Sequence, residues 1–166
     1  AVTGDRAVVV DVDAVGMSPI VDALTSLFDG RKKVAQNAVF EAKWLEHNGI
    51  KFRRPIFDTM LAAQLYTCGH RHPANLAALA QRYLNEYVPK GEQGGDWERP
   101  ELTPEQLDYA ARDAAILIDL RDALIPRLVK SGLLEAALIE MDAIPAFAEM
   151  ERYGLRFDWD KVAANV

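Results

Sequence analysis

In "VAQNAVFEAKWL", residues 34–45, a short apolar strand-like run stops at Gln36-Asn37 and a helix-like run begins at once. "PIFDTMLAAQLYT" repeats the pattern as a short strand, a turn at Asp58-Thr59 and a helix. Strands that pass directly into helices restrict the chain to an α/β architecture. The rest of the punctuation agrees. Ser18-Pro19 reads as a helix start, Ile20, Leu24, Leu27 and Phe28 recur at helical spacing, and Gly30 closes the run. "AVVVDV", residues 7–12, is β-branched and continuous, which predicts a buried strand. A helix is expected from Asn75 to about Asn85. Thr103-Pro104-Glu105-Gln106 combines an N-cap, a proline in the first turn and a glutamine at the capping-box position. The helix it opens is expected to reach Lys130, with a bend or break before Pro126. Between them, residues 88–102 form the longest irregular segment, rich in Gly and Pro. From Leu133 to Tyr153-Gly154 the chain reads as helix again.

With 166 residues, half of them hydrophobic and 27% charged, the chain can bury one domain-sized core. No apolar run approaches the roughly 18 residues that would read as a membrane span. The single cysteine, Cys68, offers no disulfide framework and suits a reducing compartment, the cytoplasm. A net charge of −6 argues against a general nucleic-acid coat, but it suits a site that holds divalent metals and meets phosphates through them. The basic runs Arg31-Lys32-Lys33, Lys51 with Arg53-Arg54, and His70-Arg71-His72 read on their own as solvated surface.

Two acids stand in apolar settings. Tyr109 and Asp113, in "YAARDAAILIDL", are one helical turn apart, and Leu117 and Leu120 continue their face. An unpaired acid there is costly, and a bound cation would remove the cost. A phenol one turn away could orient a water. The competing reading is a packed tyrosine and an aspartate satisfied by backbone or by Arg112. Glu41 lies among Val39, Phe40, Ala42 and Trp44, and it is either a metal ligand or a solvated residue beside Lys43 or His47. Asn37 is either an N-cap or a substrate-positioning group, and Asp58 is a further N-cap. Spacing alone decides none of these.

The ordered set "VAQNAVFEAKWL", "IFDTMLAAQLY", "NLAALAQRYLN" and "KGEQGGDWERPELTPEQLDYAARDAAIL" resembles the DEDD-type 3′–5′ exonucleases, in the subgroup with a catalytic tyrosine. The nearest resemblance is to the proofreading domain of bacterial or phage family A DNA polymerases, the DNA polymerase I group. The resemblance implies an α/β ribonuclease H-like (DnaQ-like exonuclease) fold and two divalent metals, Mg2+ or Mn2+, held by four carboxylates. Carried over, Asn37 and Glu41 form the second motif, Tyr109 and Asp113 the third. Glu41 and Asp113 would ligate metal, and Tyr109 would orient the attacking water. Gln36, Asn37, Phe40, Trp44, Arg71 and Lys90 would meet the substrate, with Trp97 packed as core.

The sequence departs from the family in two ways. The second-motif acid is Glu41 where aspartate is usual. The first motif, Asp-x-Glu, is matched only by Asp11-Val12-Asp13, whose context instead resembles the third strand and first helix of the fold. The first two strands, with two metal ligands, are therefore expected upstream of Ala1, or from another segment. Without them the domain would be an inactive scaffold. The tail "AIPAFAEMERYGLRFDWDKV" resembles the junction with a polymerase domain, which divides the chain into an exonuclease-like domain, 1–132, and a helical connector, 133–166. The implied activity is removal of nucleotides from single-stranded DNA 3′ ends beside a polymerase domain, with a ribonuclease D-like RNA exonuclease as the alternative.

Overall fold

Val34 and Phe57 sit at the centre of a parallel pair, β3 (Lys33–Ala35) and β4 (Ile56–Asp58), in register Lys33↔Ile56, Val34↔Phe57 and Ala35↔Asp58. The structure, a computed structural model, describes residues 2–3, 6–68, 72–89, 94–99, 101–154, 161 and 163. Both strands bury their first and third residues, as the two-residue side-chain period requires. Lys33 is among the buried ones. Its Nζ donates to Phe28 O at 2.9 Å and Arg31 O at 2.7 Å, so the ammonium sits at the carbonyl end of helix α2 (Met17–Phe28), where the helix dipole favours a cation.

Each strand runs into a helix, as expected: β3 into α3 (Ala38–His47), and β4 into α4 (Thr59–Tyr66). Asp58 closes both junctions. Its Oδ1 accepts from Met60 N at 2.8 Å and Leu61 N at 3.3 Å, which caps its own helix α4. It also accepts from Asn37 N at 3.1 Å, and Oδ2 accepts from Ala38 N at 2.8 Å, which caps α3 from the neighbouring strand. Asn37 occupies the N-cap position of α3, but its side chain makes no capping bond. It takes left-handed backbone angles (φ 62°, ψ 57°), which Asn tolerates better than most residues.

The core is organised by α6 (Pro104–Lys130). Leu120, Leu124 and Leu128 recur every fourth residue and are fully buried, and Ile116 one turn earlier is 5% exposed. The capping box at Thr103 and Gln106 forms in both directions. The helix reaches Lys130 as expected, and of the two expected outcomes at Pro126 a break does not occur. A proline inside a helix costs about 3 kcal/mol, while each fully buried leucine contributes about 1.5–3 kcal/mol. Leu124 and Leu128 flank the proline on the buried side and outweigh it. Helix α5 (Leu76–Tyr83) packs on α6, and α4 packs between α6 and α7 (Leu134–Asp142). Helix α8 (Ile144–Tyr153) lies against α3, where Ala38, Ala42 and Ala148 allow close approach. The helices after residue 133 thus share the core of the sheet. They are two rather than one, because Pro145 in the first turn of α8 cannot donate into a helix continuing from α7.

The expected strand at residues 7–12 does not form. Only β1 (Val2–Thr3) and β2 (Arg6–Ala7) pair, antiparallel. Val8, Val9 and Val10 follow without regular structure, 51%, 37% and 40% exposed. Asp11 then caps a one-turn helix, α1 (Val12–Val15), by accepting from Asp13 N and Ala14 N. β-Branched residues favour strands through their cross-strand neighbours, and among the described residues no ladder extends past Ala7 to supply them.

Replacing Asp58 by Ala removes the acceptor for four backbone N–H groups at two helix starts. Urea denaturation should show a loss of about 2–4 kcal/mol, with a smaller loss for Asp58→Asn, which keeps one acceptor oxygen.

Candidate active site

Glu41 stands in the first turn of α3, so the helix dipole favours its charge. The residue is exposed to solvent. Burial raises its pKa above the ordinary glutamate range, and the neighbouring Asp58 charge raises it further. Asp58 is itself 2% exposed. Burial pushes that carboxyl up, and the four backbone N–H groups pull it back. Asp58 ends β4, and its charge disfavours ionisation of Glu41 in the first turn of the helix that follows β3.

Tyr109 and Asp113 make the second pair, on one face of α6. The Tyr109 hydroxyl stands close enough to the Asp113 carboxyl for each to shift the other's pKa. Asp113 Oδ1 is buried and has no hydrogen-bond partner. Burial raises the Asp113 pKa, while the Tyr109 hydroxyl and the Arg112 charge lower it. Arg112 does not satisfy the carboxylate directly, because its guanidinium pairs with Asp108 one turn back. Burial and the Asp113 charge both hold the Tyr109 phenol in its protonated, donating form. Trp97 leans on Tyr109, with ring centroids 6.2 Å apart. It is 38% exposed, so it is a wall beside the tyrosine and not the core residue expected. Its loop is held there by Gln106, 2% exposed, whose Nε2 donates to Asp96 O at 2.9 Å.

A buried carboxylate oxygen with no partner is an unpaid desolvation cost, and a hard divalent cation takes such oxygens as ligands. The Asp113 environment therefore fits a metal ion. Among the described residues, no three His, Cys, Asp or Glu side chains gather around a common point. The protein groups come as two pairs, Glu41 with Asp58 and Asp113 with Tyr109.

The other sequence-predicted residues divide. Phe40 and Trp44, 57% and 48% exposed, lie one turn apart on the outer side of α3. Asn37 is exposed, with its side chain uncommitted to the cap. The Gln36 side chain is turned inward: Nε2 donates to Ala74 O at 2.7 Å, and Oε1 accepts from Thr59 Oγ1 at 2.5 Å. Arg71 and Lys90 lie outside the described residues. Sequence reasoning missed Asp58 as the acid facing Glu41. The signal was present in the two matching strand-to-helix junctions, whose parallel pairing brings the end of one strand to the start of the other's helix. It also missed the anchoring by Gln106, a capping-box residue whose second bond is not local.

A small parallel sheet with acids at its carboxyl ends, flanked by a helix bearing a tyrosine–aspartate pair, defines a nuclease-like α/β class. Comparison with known proteins narrows it. A family model described as 3′–5′ exonuclease matches residues 2–129, and the chain belongs to that family. Ribonuclease D of Shewanella sp. (strain ANA-3) is 34% identical over 119 residues, covering 70% of this chain and 30% of that protein. DNA polymerase I of Aquifex aeolicus (strain VF5) is 35% identical over 101 residues, covering 60% of this chain and 17% of that protein. Among solved structures, Brucella melitensis NrnC superposes with a TM-score of 0.73 at 26% identity, over 79% of this chain and 64% of that one. Further NrnC structures carry bound Mg2+ and pGG. The chain spans less than a third of the curated relatives named and about two thirds of NrnC. Both expected relatives are found, and ribonuclease D proteins match at least as well as DNA polymerase I.

Ionised Glu41 is less favourable in the folded protein than in the unfolded chain. Below the ordinary glutamate range it is protonated in both states. As pH rises from that range through its elevated folded pKa, metal-free stability should fall. Glu41→Gln should flatten this fall and be at least as stable as the parent at neutral pH in EDTA, as read by denaturant titration at several pH values.

Proposed function

We propose that the chain is a 3′–5′ exonuclease module that hydrolyses single-stranded nucleic-acid 3′ ends, with Glu41 and Asp113 holding Mg2+ or Mn2+. The observation that carries this reading is the buried, partnerless Oδ1 of Asp113 beside a protonated Tyr109. A divalent metal, when bound, supplies a Lewis acid that activates water and stabilises the leaving 3′ oxygen. Asp113 contributes the carboxylate oxygen that has no other partner. Glu41, on the neighbouring helix start, contributes a second charge whose repulsion from Asp58 a cation relieves. Tyr109 keeps its proton and orients water with the hydroxyl, while Trp97 limits the freedom of the ring. Phe40 and Trp44 offer exposed rings on which the terminal bases stack. Asn37, exposed at the start of the same helix, positions the strand. The inward hydrogen bonds of Gln36 support a role in holding the junction under Asn37.

For the substrate, we favour RNA or a short oligonucleotide, in the manner suggested by the ribonuclease D relatives and by NrnC with pGG. DNA proofreading is the second reading, favoured by the DNA polymerase I match. A 5′-labelled RNA and the same sequence in DNA, each incubated with the protein and Mg2+ or Mn2+, separate the two. Stepwise shortening from the 3′ end is expected. No shortening of either, together with no metal-dependent rise in melting temperature, would leave the chain a non-catalytic scaffold.

Two variants sharpen the test. Tyr109→Phe should slow shortening by about 10²-fold while the metal-dependent rise in melting temperature persists. Asp113→Asn should lose both. With Glu41 and Asp113 both titrating above the ordinary carboxylate range, the acid limb of the rate profile should lie above that range, because protons displace the metal there.

A further inference from the structure

The structure assigns a second nucleic-acid contact at the opposite end of the parallel sheet. Read along the sequence, Arg31-Lys32-Lys33 and Lys51 with Arg53-Arg54 are separate short basic runs. The fold joins them. Lys33 opens β3 and pairs with Ile56, which opens β4, and Lys33 N donates to Pro55 O at 3.1 Å. Arg31, Lys32, Lys51, Arg53 and Arg54 are all exposed and stand on two adjacent loops. At the other ends of the same strands, Asp58 closes β4 and Glu41 lies in the first turn of the helix after β3. Each strand is three residues long, so about 10 Å of sheet separates the two ends.

Between these loops and the end of α2 lies a cavity of about 340 Å³, bounded by Thr25, Ser26, Phe28, Lys51, Arg53 and Arg54. Thr25 and the exposed Ser26, both on α2, form one wall of it. Arg53 lies 3.6 Å from the largely buried Glu46 carboxylate, whereas Arg54 donates to Asp142 at 2.9 Å with both side chains more than half exposed. Exposed pairs of this kind contribute little and can be exchanged for phosphate. Asp22 and Asp29 also line the cavity, which disfavours a bare anion. A nucleotide meets both requirements: its phosphate faces the cations, while ring N–H, amine and sugar hydroxyl donors face the carboxylates.

We propose that this cavity and its basic rim bind one nucleotide unit of a nucleic-acid strand outside the active site. The source of that strand rests on the exonuclease reading, which supplies a nucleic-acid strand bound to the same molecule by its 3′ end. Binding itself requires neither metal nor hydrolysis, so the two proposals fail separately.

The test is fluorescence anisotropy of a 5′-labelled 12-nucleotide single strand with the full chain in EDTA, at several salt concentrations. K51Q/R53Q/R54Q should weaken binding at least tenfold at low salt and lower the magnitude of the log–log salt slope by about 0.7, the share of one phosphate contact on a single strand. Hydrolysis of a dinucleotide, too short to reach the cavity, should be unchanged, with an unchanged melting temperature as the check on folding. R6Q/K130Q/R152Q removes the same charge elsewhere and should leave binding close to the parent. Equal loss in the two triple variants, or no loss in the first, would overturn the proposal. Ser26→Trp, which fills the cavity from an exposed position, should weaken the 12-mer severalfold without lowering the melting temperature. An unchanged affinity would remove the nucleotide from the cavity.

Discussion

One buried carboxylate holds the two strand-to-helix junctions together. Asp58 ends β4, and its two oxygens accept four backbone N–H groups, two from its own helix and two from the helix that follows the neighbouring strand. Helix starts present N–H groups that have no partner within the helix, and a buried start requires an acceptor from elsewhere. Here one side chain serves two starts, so the direction of α3 relative to β4 is set by hydrogen bonds as well as by packing. The left-handed backbone of Asn37 follows from this: it turns the chain so that Asn37 N and Ala38 N both face the carboxylate. Glu41 is carried on the first turn of α3, and its place beside Asp58 is a consequence of the same clasp.

The clasp has an electrostatic cost that falls on the site. The Asp58 charge disfavours ionisation of Glu41, and burial opposes that of both. On α6 a third acid keeps one oxygen buried without a partner. Nothing in the packing requires acids at Glu41 and Asp113, and apolar or amide side chains there would be less costly. Such unfavourable groups are common at functional sites, where a ligand relieves the cost. The 3′–5′ exonuclease family, to which the chain belongs, supplies the corresponding expectation of a divalent cation.

Much of the local structure was legible because its signals act over three or four residues. The capping box of Thr103 and Gln106, the cap at Asn75, the turn at Asp58-Thr59 and the closing glycines Gly30, Gly49 and Gly154 all concern a side chain and nearby backbone. What was not legible depends on distant partners. Val8–Val10 has strand composition but no ladder in the described structure. Pro126 has breaker chemistry, but the buried leucines on either side of it keep the helix continuous. Within the candidate site, Tyr109 and Asp113 were legible as a pair because one helical turn joins them, whereas the choice between metal ligand and satisfied aspartate was not.

The sequence by itself determined that strands lead into helices, that Tyr109 and Asp113 share a face, and that the chain resembles a family of nucleases. Those properties reside in short-range periodicity, capping and motif order. Only the tertiary structure decided that Asp58 and not Asn37 caps α3, that Arg112 turns to Asp108 and leaves Asp113 Oδ1 alone, and that two basic runs share one end of the sheet. Each depends on the register of β3 against β4 or on burial by α6. Register and burial arise from contacts between residues far apart in the chain, which no local pattern specifies.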